Sequence, residues 1–368
     1  MKITRIETFL LKVPYEMGGP HPQFGGKPRT TMDILALRVD TDAGISGWGE
    51  AFGGPTAPAT RLVIEQQVAP LAIGRDATAI EALMSELARK LQNFGRGGPV
   101  TFALSGLDIA LWDLAGKAAG LPLHRLLGGA VRREITAYAS LLQYHDAALV
   151  EKNAAQAVAE GFRHLKLHEK TVADVAAGRK GAGDGVPMMV DTNCPWNVGE
   201  AIAMARALAP FEPTWIEEPV WPPEDFAGLA QVRRATPILI AAGENARTLL
   251  DFKLMLEAGA VSVVQPSIAK MGGITEMRKV MTLAEAFNVR LVPHCTYFGP
   301  AALATMHILS TATATPLLER FYCTLEASPF GEALLPQNGR VQVPDGPGLG
   351  VEPDPELLAR YNVSTESD

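Results

Sequence analysis

The sequence predicts an α/β fold in which a parallel barrel of eight βα repeats follows an N-terminal α+β unit. Three observations predict it: β-type alternation over the first fifty residues, a helical period from about 57 to 120, and short apolar strands separated by amphipathic helices from about 135 onward. Eight such repeats in a row favour a closed barrel over an open sheet.

The N-terminal unit has the pattern of a small sheet covered by helices. Residues 3–13 read as a strand, and residues 32–39 and 45–50 read as a hairpin around an Asp-Ala-Gly turn. The glycine- and proline-rich segment 18–26 has no core pattern, so we expect a mobile loop there. A helix is predicted over 101–117, with Gly120 as its C-terminal cap.

The barrel repeats begin with short apolar strands. These are predicted at 135–141, 164–168, 187–193, 214–219, 238–245, 261–268, 290–295 and 317–321. The helices between them are predicted at 146–160, 200–209, 225–236, 248–258, 274–287 and 301–310, and the glycine-rich connection 169–185 leaves room for only a short helix. We expect an α+β capping domain over 1–130, a barrel over 131–323, and a tail over 324–368 that packs back on the capping domain.

Composition narrows the classes of function. A net charge of -7 and a pI of about 5.6 argue against nucleic-acid binding, which needs a basic face. Three scattered cysteines are too few for a disulfide framework and fit a reducing cytosol. No apolar run reaches about 18 residues, and the first residues lack the apolar region of a secretory signal. We therefore expect a cytoplasmic protein without nucleic-acid or membrane partners.

Three acidic residues end consecutive predicted strands, where active sites of such barrels lie. Asp191, Glu217 and Glu244 are 26 and 27 residues apart, about one repeat each. Neighbouring strands are about 4.8 Å apart, so these carboxylates should converge and repel each other unless a cation joins them. Oxygen ligands favour Mg²⁺, with Mn²⁺ as a possible substitute. The alternative is that each acid pairs with a lysine or arginine at the barrel rim.

Candidate catalytic groups lie on two other strands. Lys166 and His168 are two residues apart, so their side chains point to the same face of one strand. Lys166 could support a developing enolate, and a neutral His168 could accept or return a proton. Alternatively, Lys166 pairs with a ligand carboxylate and His168 is a structural rim residue. His294 ends the seventh strand, from which it would approach the opposite face of a substrate.

Other polar residues are candidates for binding a substrate. Glu319 could hydrogen-bond a substrate carboxylate if it is protonated, or balance the charge of a lysine, although a salt bridge to Arg320 or a neighbour explains it almost as well. Lys270 could contact the substrate or simply neutralise the acidic cluster. Further candidates from strand ends and loops are Asn193, Tyr144 and Tyr297.

Several motifs together resemble the enolase superfamily and, within it, the mandelate racemase branch. They are Gly-Trp-Gly-Glu at 47–50, the helix segment 103–113, Trp-Ile-Glu-Glu-Pro at 215–219, Gly-Glu-Asn at 243–245, Gln-Pro at 265–266, Lys-Met-Gly-Gly-Ile-Thr-Glu at 270–276, and the closing segment 344–350. The resemblance implies that Asp191, Glu217 and Glu244 bind Mg²⁺ and that capping loops around His21 and Phe52 close over the substrate. It also implies assembly as a homo-oligomer, a dimer or an octamer.

The sequence departs from that family pattern at two positions. The second strand usually carries Lys-x-Lys, but here it reads Lys166-Leu167-His168. The histidine of the seventh strand usually has an aspartate partner at the end of the sixth, where this chain has Ser267. The lysine that the muconate lactonizing branch places there is absent too. Because serine cannot raise the basicity of His294 as a carboxylate would, we expect His294 to act as a general acid.

These residues predict an enzyme that removes the proton α to a substrate carboxylate. Such a proton is weakly acidic, so its removal requires a cation and Lys166 to stabilise the resulting intermediate. The reaction expected is dehydration of a sugar acid or related hydroxy acid, in which Lys166 or His168 takes the proton and His294 protonates the departing hydroxyl. Alternatives are racemisation, epimerisation or opening of a lactone or anhydro ring. A non-catalytic carboxylate-binding barrel is the alternative of another class.

Overall fold

The computed structural model describes residues 1–363, so residues 364–368 of the predicted tail lie outside it. Its strands are β1 Ile3–Glu16, β2 Gln23–Phe24, β3 Lys27–Pro28, β4 Thr31–Thr41, β5 Ser46–Ala51, β6 Glu134–Ser140, β7 Leu165–Leu167, β8 Met188–Asp191, β9 Trp215–Glu217, β10 Leu239–Ala242, β11 Val263–Val264, β12 Arg290–Leu291, β13 Leu317–Phe321, β14 Thr324–Leu325 and β15 Arg340–Gln342.

The helices separate these strands as the sequence pattern predicts. They are α1 Ala57–Val63, α2 Ala69–Ala72, α3 Ile80–Leu91, α4 Pro99–Ala119, α5 Leu123–Leu126, α6 Ala147–Ala159, α7 Val172–Ala182, α8 Val198–Leu208, α9 Phe226–Ala235, α10 Leu249–Glu257, α11 Gly273–Ala286, α12 Pro300–Thr311 and α13 Pro355–Tyr361. Within residues 1–363, no helix has the length and apolar character needed to span a bilayer.

The strands β6 to β13 form one curled parallel sheet. Sequential strands pair from β6 to β12, and β13 returns to pair with β6, so Leu317 lies opposite Thr136. On the other side of β13, the backbone N–H of Cys295 donates to Glu319 Oε2 at 2.9 Å. The interior beneath this end of the barrel is filled by a separate cluster of buried side chains, Tyr138, Met189, Trp215, Ala241, Val263, Val292 and Leu317. The predicted α/β barrel is confirmed.

The capping domain is an antiparallel sheet covered by helices. β4 pairs with both β1 and β5, and β14 from the C-terminal segment pairs with the end of β1. Helix α4 lies directly against β5: a Cβ at Gly49 would be 2.0 Å from the carbonyl oxygen of Gly106, so only glycine allows this contact. The tail also adds β15 to the outer edge of β6. A capping domain completed by the tail is therefore confirmed as part of the fold.

Two local features differ from the sequence-based expectation. The connection 169–185 contains the 11-residue helix α7, although its glycines suggested a short one. Those glycines serve close packing, since a Cβ at Gly178 would be 2.3 Å from Leu167 and one at Gly181 would be 2.2 Å from the carbonyl oxygen of Glu151. The segment 18–26, predicted as a mobile loop without a core pattern, includes β2 and leads into the small β2–β3 hairpin.

Candidate active site

A buried lysine joins three carboxylates at the mouth of the barrel. Lys166 Nζ lies 3.0 Å from Asp191 Oδ2, 2.9 Å from Glu217 Oε1 and 2.7 Å from Glu319 Oε1. Burial would lower the pKa of this amine, but the three carboxylates outweigh it and hold the pKa well above its usual value. An ammonium group held by three carboxylates is poorly placed to accept a proton, so the contacts favour the alternative that Lys166 pairs with the acidic residues.

The three acids predicted to bind metal converge. One carboxylate oxygen from each of Asp191, Glu217 and Glu244 lies within 4.8 Å of those of the other two. Asp191 and Glu217 end β8 and β9, and Glu244 lies two residues beyond β10. Glu217 Oε2 accepts hydrogen bonds from Trp215 Nε1 at 3.1 Å and Gln265 Nε2 at 2.7 Å. These contacts fix the carboxylate of Glu217, whose pKa is raised by burial and by the neighbouring Asp191.

The charges around these acids suit a divalent cation. Asp191, Glu217, Glu244 and Glu319 contribute four carboxylates, whereas the ammonium groups in contact with them belong to Lys166 and to Lys270, which lies 3.5 Å from Glu244. Unless the neighbouring imidazoles are protonated, the carboxylates outnumber these cations, and excess negative charge in a mostly buried cluster is costly unless compensated. Converging oxygen donors are the set that Mg²⁺ prefers, so these residues fit such an ion.

Two histidines flank the acidic cluster from different sides. His168 Nε2 lies 3.3 Å from Asp191 Oδ2, and its Nδ1 lies 2.5 Å from the carbonyl oxygen of Leu141. His294 Nε2 lies 3.0 Å from Glu244 Oε2. Burial would lower the pKa of each imidazole, but the adjacent carboxylate outweighs it and raises the pKa. The two rings therefore contact different members of the cluster.

The second nitrogen of His294 contacts an uncharged chain of hydroxyl groups. His294 Nδ1 lies 3.0 Å from Ser267 Oγ, which in turn contacts the phenol oxygen of Tyr297. The carbonyl oxygen of Leu141 can only accept a hydrogen bond from His168 Nδ1, whereas the hydroxyl of Ser267 can donate one to His294 Nδ1. The two histidines thus differ at Nδ1: the carbonyl oxygen of Leu141 requires a proton on His168 Nδ1, whereas Ser267 can donate to His294 Nδ1 or accept from it.

A cavity of about 320 Å³ opens above these residues, between the barrel mouth and the capping domain. Six predicted site residues line it: His168, Asn193, Glu244, Lys270, His294 and Tyr297. The backbone N–H and side-chain amide of Asn193 donate to Asp191 Oδ1 at 3.1 and 3.0 Å. Lys270 Nζ donates to Asn245 Oδ1 at 3.1 Å and lies over the ring of Phe52, 5.1 Å from its centre.

Three predicted substrate-binding residues lie elsewhere. Glu319 is fully buried below the cavity, where it accepts hydrogen bonds from Lys166 and from Ser140 Oγ at 2.8 Å. The hydroxyl of Tyr144 donates to the carbonyl oxygen of Met17 at 2.9 Å, which ties a capping segment to the barrel. His21 packs edge-on against Tyr15, with ring centres 4.9 Å apart. In this arrangement all three contact protein groups instead of the open cavity.

The cavity also includes residues that sequence reasoning did not select. From the capping domain come Arg29, Asp33 and Glu50, and from barrel loops come Gln143 and Thr296. Glu50 accepts a hydrogen bond from the N–H of Ala301 at 2.9 Å, and burial raises its pKa to about 7. The motif at 47–50 could have drawn attention to Glu50. The others lie in loops or on a strand whose alternation does not reveal a cavity.

Comparison with known proteins agrees with this architecture. Residues 5–128 match the family model for the mandelate racemase / muconate lactonizing enzyme N-terminal domain, and residues 149–357 match that of the enolase C-terminal domain-like family. A crystal structure of a racemase from Streptomyces coelicolor with bound magnesium superposes with a TM-score of 0.87 at 32% identity, covering 98% of this chain and all (100%) of that one.

Curated relatives with similar full-length sequences carry out two kinds of reaction. A 3,6-anhydro-alpha-L-galactonate cycloisomerase of Streptomyces coelicolor is 35% identical over 98% of this chain and 99% of its own length. A D-galactarolactone cycloisomerase of Agrobacterium fabrum is 33% identical over 99% of both chains. A D-galactonate dehydratase of Ralstonia pickettii is 33% identical over 97% of this chain and 94% of its own. The chain belongs to the enolase superfamily, in its mandelate racemase and muconate lactonizing enzyme family.

Proposed function

We propose that this chain is a lyase or isomerase that uses Mg²⁺ to remove the proton α to the carboxylate of a sugar acid and then expels the β-oxygen. One observation carries the proposal: the oxygens of Asp191, Glu217 and Glu244 converge between two histidines that line the same cavity. A purely structural ion cluster would not need a proton-transfer group on each side. A non-catalytic carboxylate-binding barrel is correspondingly disfavoured.

The three acids would bind the cation, and Lys166 would contribute a fixed positive charge. When bound, a divalent cation would neutralise the substrate carboxylate and stabilise the negative charge that develops when the α-proton leaves. Lys166 is a buried ammonium in contact with two of these acids and with Glu319, and these three carboxylates keep it protonated. We therefore assign Lys166 an electrostatic role and give the base to a histidine. Mn²⁺ remains a predicted substitute for Mg²⁺.

His168 has the geometry of the base. Its Nδ1 proton is committed to the carbonyl oxygen of Leu141, so a neutral His168 presents an unprotonated Nε2 at the cavity. That nitrogen lies beside Asp191, whose negative charge would otherwise favour the protonated ring. If a bound cation took up the charge of Asp191, His168 Nε2 would be free to accept the α-proton.

His294 has the geometry of the acid. Its Nε2 lies 3.0 Å from the acceptor Glu244, and Ser267 can donate a hydrogen bond to Nδ1, so a neutral His294 can carry its proton on Nε2. His294 would give this proton to the departing β-oxygen. The Cα–H and Cβ–O bonds break, an enol forms, and its tautomer is a 2-keto acid. A departing hydroxyl makes the reaction a dehydration; a departing ring oxygen makes it a cycloisomerisation.

Turnover of sugar acids in deuterated water with Mg²⁺ would test these roles. Wild-type enzyme should yield a keto acid, and His168→Asn should abolish both product and deuterium exchange at Cα. His294→Asn should retain exchange while elimination falls roughly 10²- to 10⁴-fold. His145→Asn, on an exposed loop, is the matched control.

Two outcomes would contradict this assignment. Deuterium at Cα without elimination by the wild type would identify a racemase or epimerase. Undiminished elimination by His294→Asn would remove His294 from the reaction. The predicted oligomeric state and cytoplasmic location stay predictions.

A further inference from the structure

The cavity contains a cation that the proposed elimination does not use. Arg29 lies between β3 and β4 of the capping domain and lines the cavity together with the catalytic candidates of the barrel. Its backbone N–H donates to the carbonyl oxygen of Pro22 at 2.9 Å, which anchors the residue at the base of the β2–β3 hairpin. The guanidinium reaches toward the second capping loop, where a Cβ at Gly54 would be 3.6 Å from Nη2.

Within residues 1–363, the guanidinium of Arg29 makes no hydrogen bond to a side chain or carbonyl and no ion pair within 4.0 Å. Other cavity cations are already engaged: Lys270 contacts Glu244 and Asn245. Asp33 lines the same cavity and is a candidate counterion for Arg29, but its carboxylate accepts a hydrogen bond from Thr31 Oγ1 at 3.0 Å instead. Arg29 therefore retains its full capacity for a bidentate contact with an anion.

The surroundings of Arg29 suit a polyhydroxylated chain between the two ends of the cavity. Gln143 and Thr296 line the cavity, and their side chains make no hydrogen bond within the described residues. A neutral amide and a hydroxyl can bind sugar hydroxyls without adding charge. A volume of about 320 Å³ is at the small end of ligand sites and accommodates a small sugar acid.

We propose that Arg29 binds a second carboxylate at the far end of the substrate, so that the enzyme acts on sugar diacids or their lactones in preference to aldonic acids. This inference rests on the proposed function, because it assumes that the first carboxylate is bound at the acidic cluster. Guanidinium pairs with a carboxylate through two parallel hydrogen bonds, whereas the terminal hydroxyl of an aldonic acid offers no negative charge.

A lactone substrate would engage Arg29 during the reaction itself. In a 1,4-lactone of a six-carbon diacid, the free carboxylate activates its neighbouring C–H, and the ring oxygen on the next carbon is the leaving group. When that C–O bond breaks, its electron pair leaves with the ring oxygen, so the lactone acyl group is released as a carboxylate. The electron pair of the former C–H bond forms the C=C bond of the enol. Arg29 would bind this new carboxylate, and no further reactant is required.

Kinetics on matched substrates test whether Arg29 gives the enzyme a preference for diacids or their lactones over aldonic acids. We would compare hexaric acids, their 1,4-lactones and the aldonic acids of the same configuration, using wild-type enzyme, Arg29→Gln, Arg29→Lys and Lys27→Gln with Mg²⁺. The wild type should prefer a diacid or lactone. Arg29→Gln should lower kcat/KM on that substrate roughly tenfold to hundredfold more than on aldonic acids. Arg29→Lys should retain part of the preference, and Lys27→Gln, a change of an exposed cation on the same hairpin, should retain all of it.

Direct binding provides a readout that does not depend on turnover. Calorimetric titration of galactarate and galactonate into the Mg²⁺-loaded protein should show tighter binding of the diacid and loss of that difference in Arg29→Gln.

Equal effects of Arg29→Gln on diacids and aldonic acids, or equal binding of both acids by the wild type, would overturn the role of Arg29 while leaving the proposed elimination intact. If aldonic and diacid substrates bind with the expected difference but neither eliminates, the proposed function fails and the role of Arg29 stands. If neither acid binds, both proposals fail.

Discussion

The floor and the rim of the cavity satisfy their polar groups in opposite ways. In the floor (Lys166, Asp191, Glu217 and Glu319), charged groups hydrogen-bond to one another and are excluded from solvent. In the rim (Arg29, Gln143 and Thr296), the side chains have no such partners within the described residues. A preorganised floor can stabilise charge without rearranging, whereas free rim groups are left for a ligand. The reaction thus depends on the floor and substrate choice on the rim.

The largest effect should follow from removing one carboxylate of the acidic cluster. Glu217→Gln keeps the size of the side chain but removes the charge, so it should weaken metal binding and lower kcat/KM roughly a thousandfold or more. Steady-state kinetics with Mg²⁺, together with metal content of the purified protein, measures both losses. Glu257→Gln, an exposed acid at the end of α10, should change neither. Unchanged activity and metal content in Glu217→Gln would refute the role of the floor.

A large loss of stability is expected from Lys166→Met. The substitution leaves three buried carboxylates without their shared cation, which should lower the free energy of unfolding by about 3–5 kcal/mol. Urea denaturation in the presence of a chelator measures the loss, and Mg²⁺ should restore part of it. Lys180→Met removes an exposed ion pair with Glu151 and should cause no measurable change. Equal stabilities of the two variants would show that the floor is not an integrated network.

A buried histidine at a distance from the cavity should affect stability alone. His307 Nε2 donates to the carbonyl oxygen of Leu349 at 3.1 Å, and Nδ1 accepts from the N–H of His124 at 3.2 Å. Burial lowers the pKa of His307 to about 4. Between pH 4 and the unfolded-state pKa of about 6.5 the unfolded chain binds more protons, so stability falls as the pH falls.

Replacing this histidine isolates its contribution. The difference in unfolding free energy between wild type and His307→Gln should change by up to about 3 kcal/mol over that window, with the wild type losing more at low pH. Chemical denaturation at a series of pH values provides the measurement, and kcat/KM at neutral pH should be retained. A pH-independent difference would contradict the account, because it would show that folding does not change the pKa of His307.

The smallest effect should come from a neutral rim residue. Gln143→Ala removes one potential hydrogen bond to a substrate hydroxyl and should raise KM roughly two- to tenfold without changing stability. Gln156→Ala, on the exposed side of α6, is the control. If Gln143→Ala destabilised the protein and left KM unchanged, the rim would be structural like the floor.

The sequence predicted the site best where strand periodicity fixes the direction in which a side chain points. Asp191, Glu217 and Lys166 lie on parallel strands, so their order alone predicted that they would meet. Glu244 and His294 lie beyond the ends of β10 and β12, yet their short connections still bring them to the same mouth.

Loop residues were harder to predict because a loop has no regular repeat that indicates where its side chains point. Tyr144 and Tyr297 both follow barrel strands, but the hydroxyl of Tyr144 binds Met17 whereas Tyr297 faces the cavity. Arg29 was missed for the same reason: only the folded β2–β3 hairpin shows which way it extends. The catalytic roles and the oligomeric state stay predictions.

The central claim is that Asp191, Glu217 and Glu244 share one divalent cation. Anomalous diffraction from a crystal soaked in Mn²⁺ tests it most directly, because the ion is located without reference to activity. We predict a single anomalous peak at the barrel mouth with an oxygen from each of the three side chains as a ligand. Carboxylates turned away from one another with no peak between them would contradict the account.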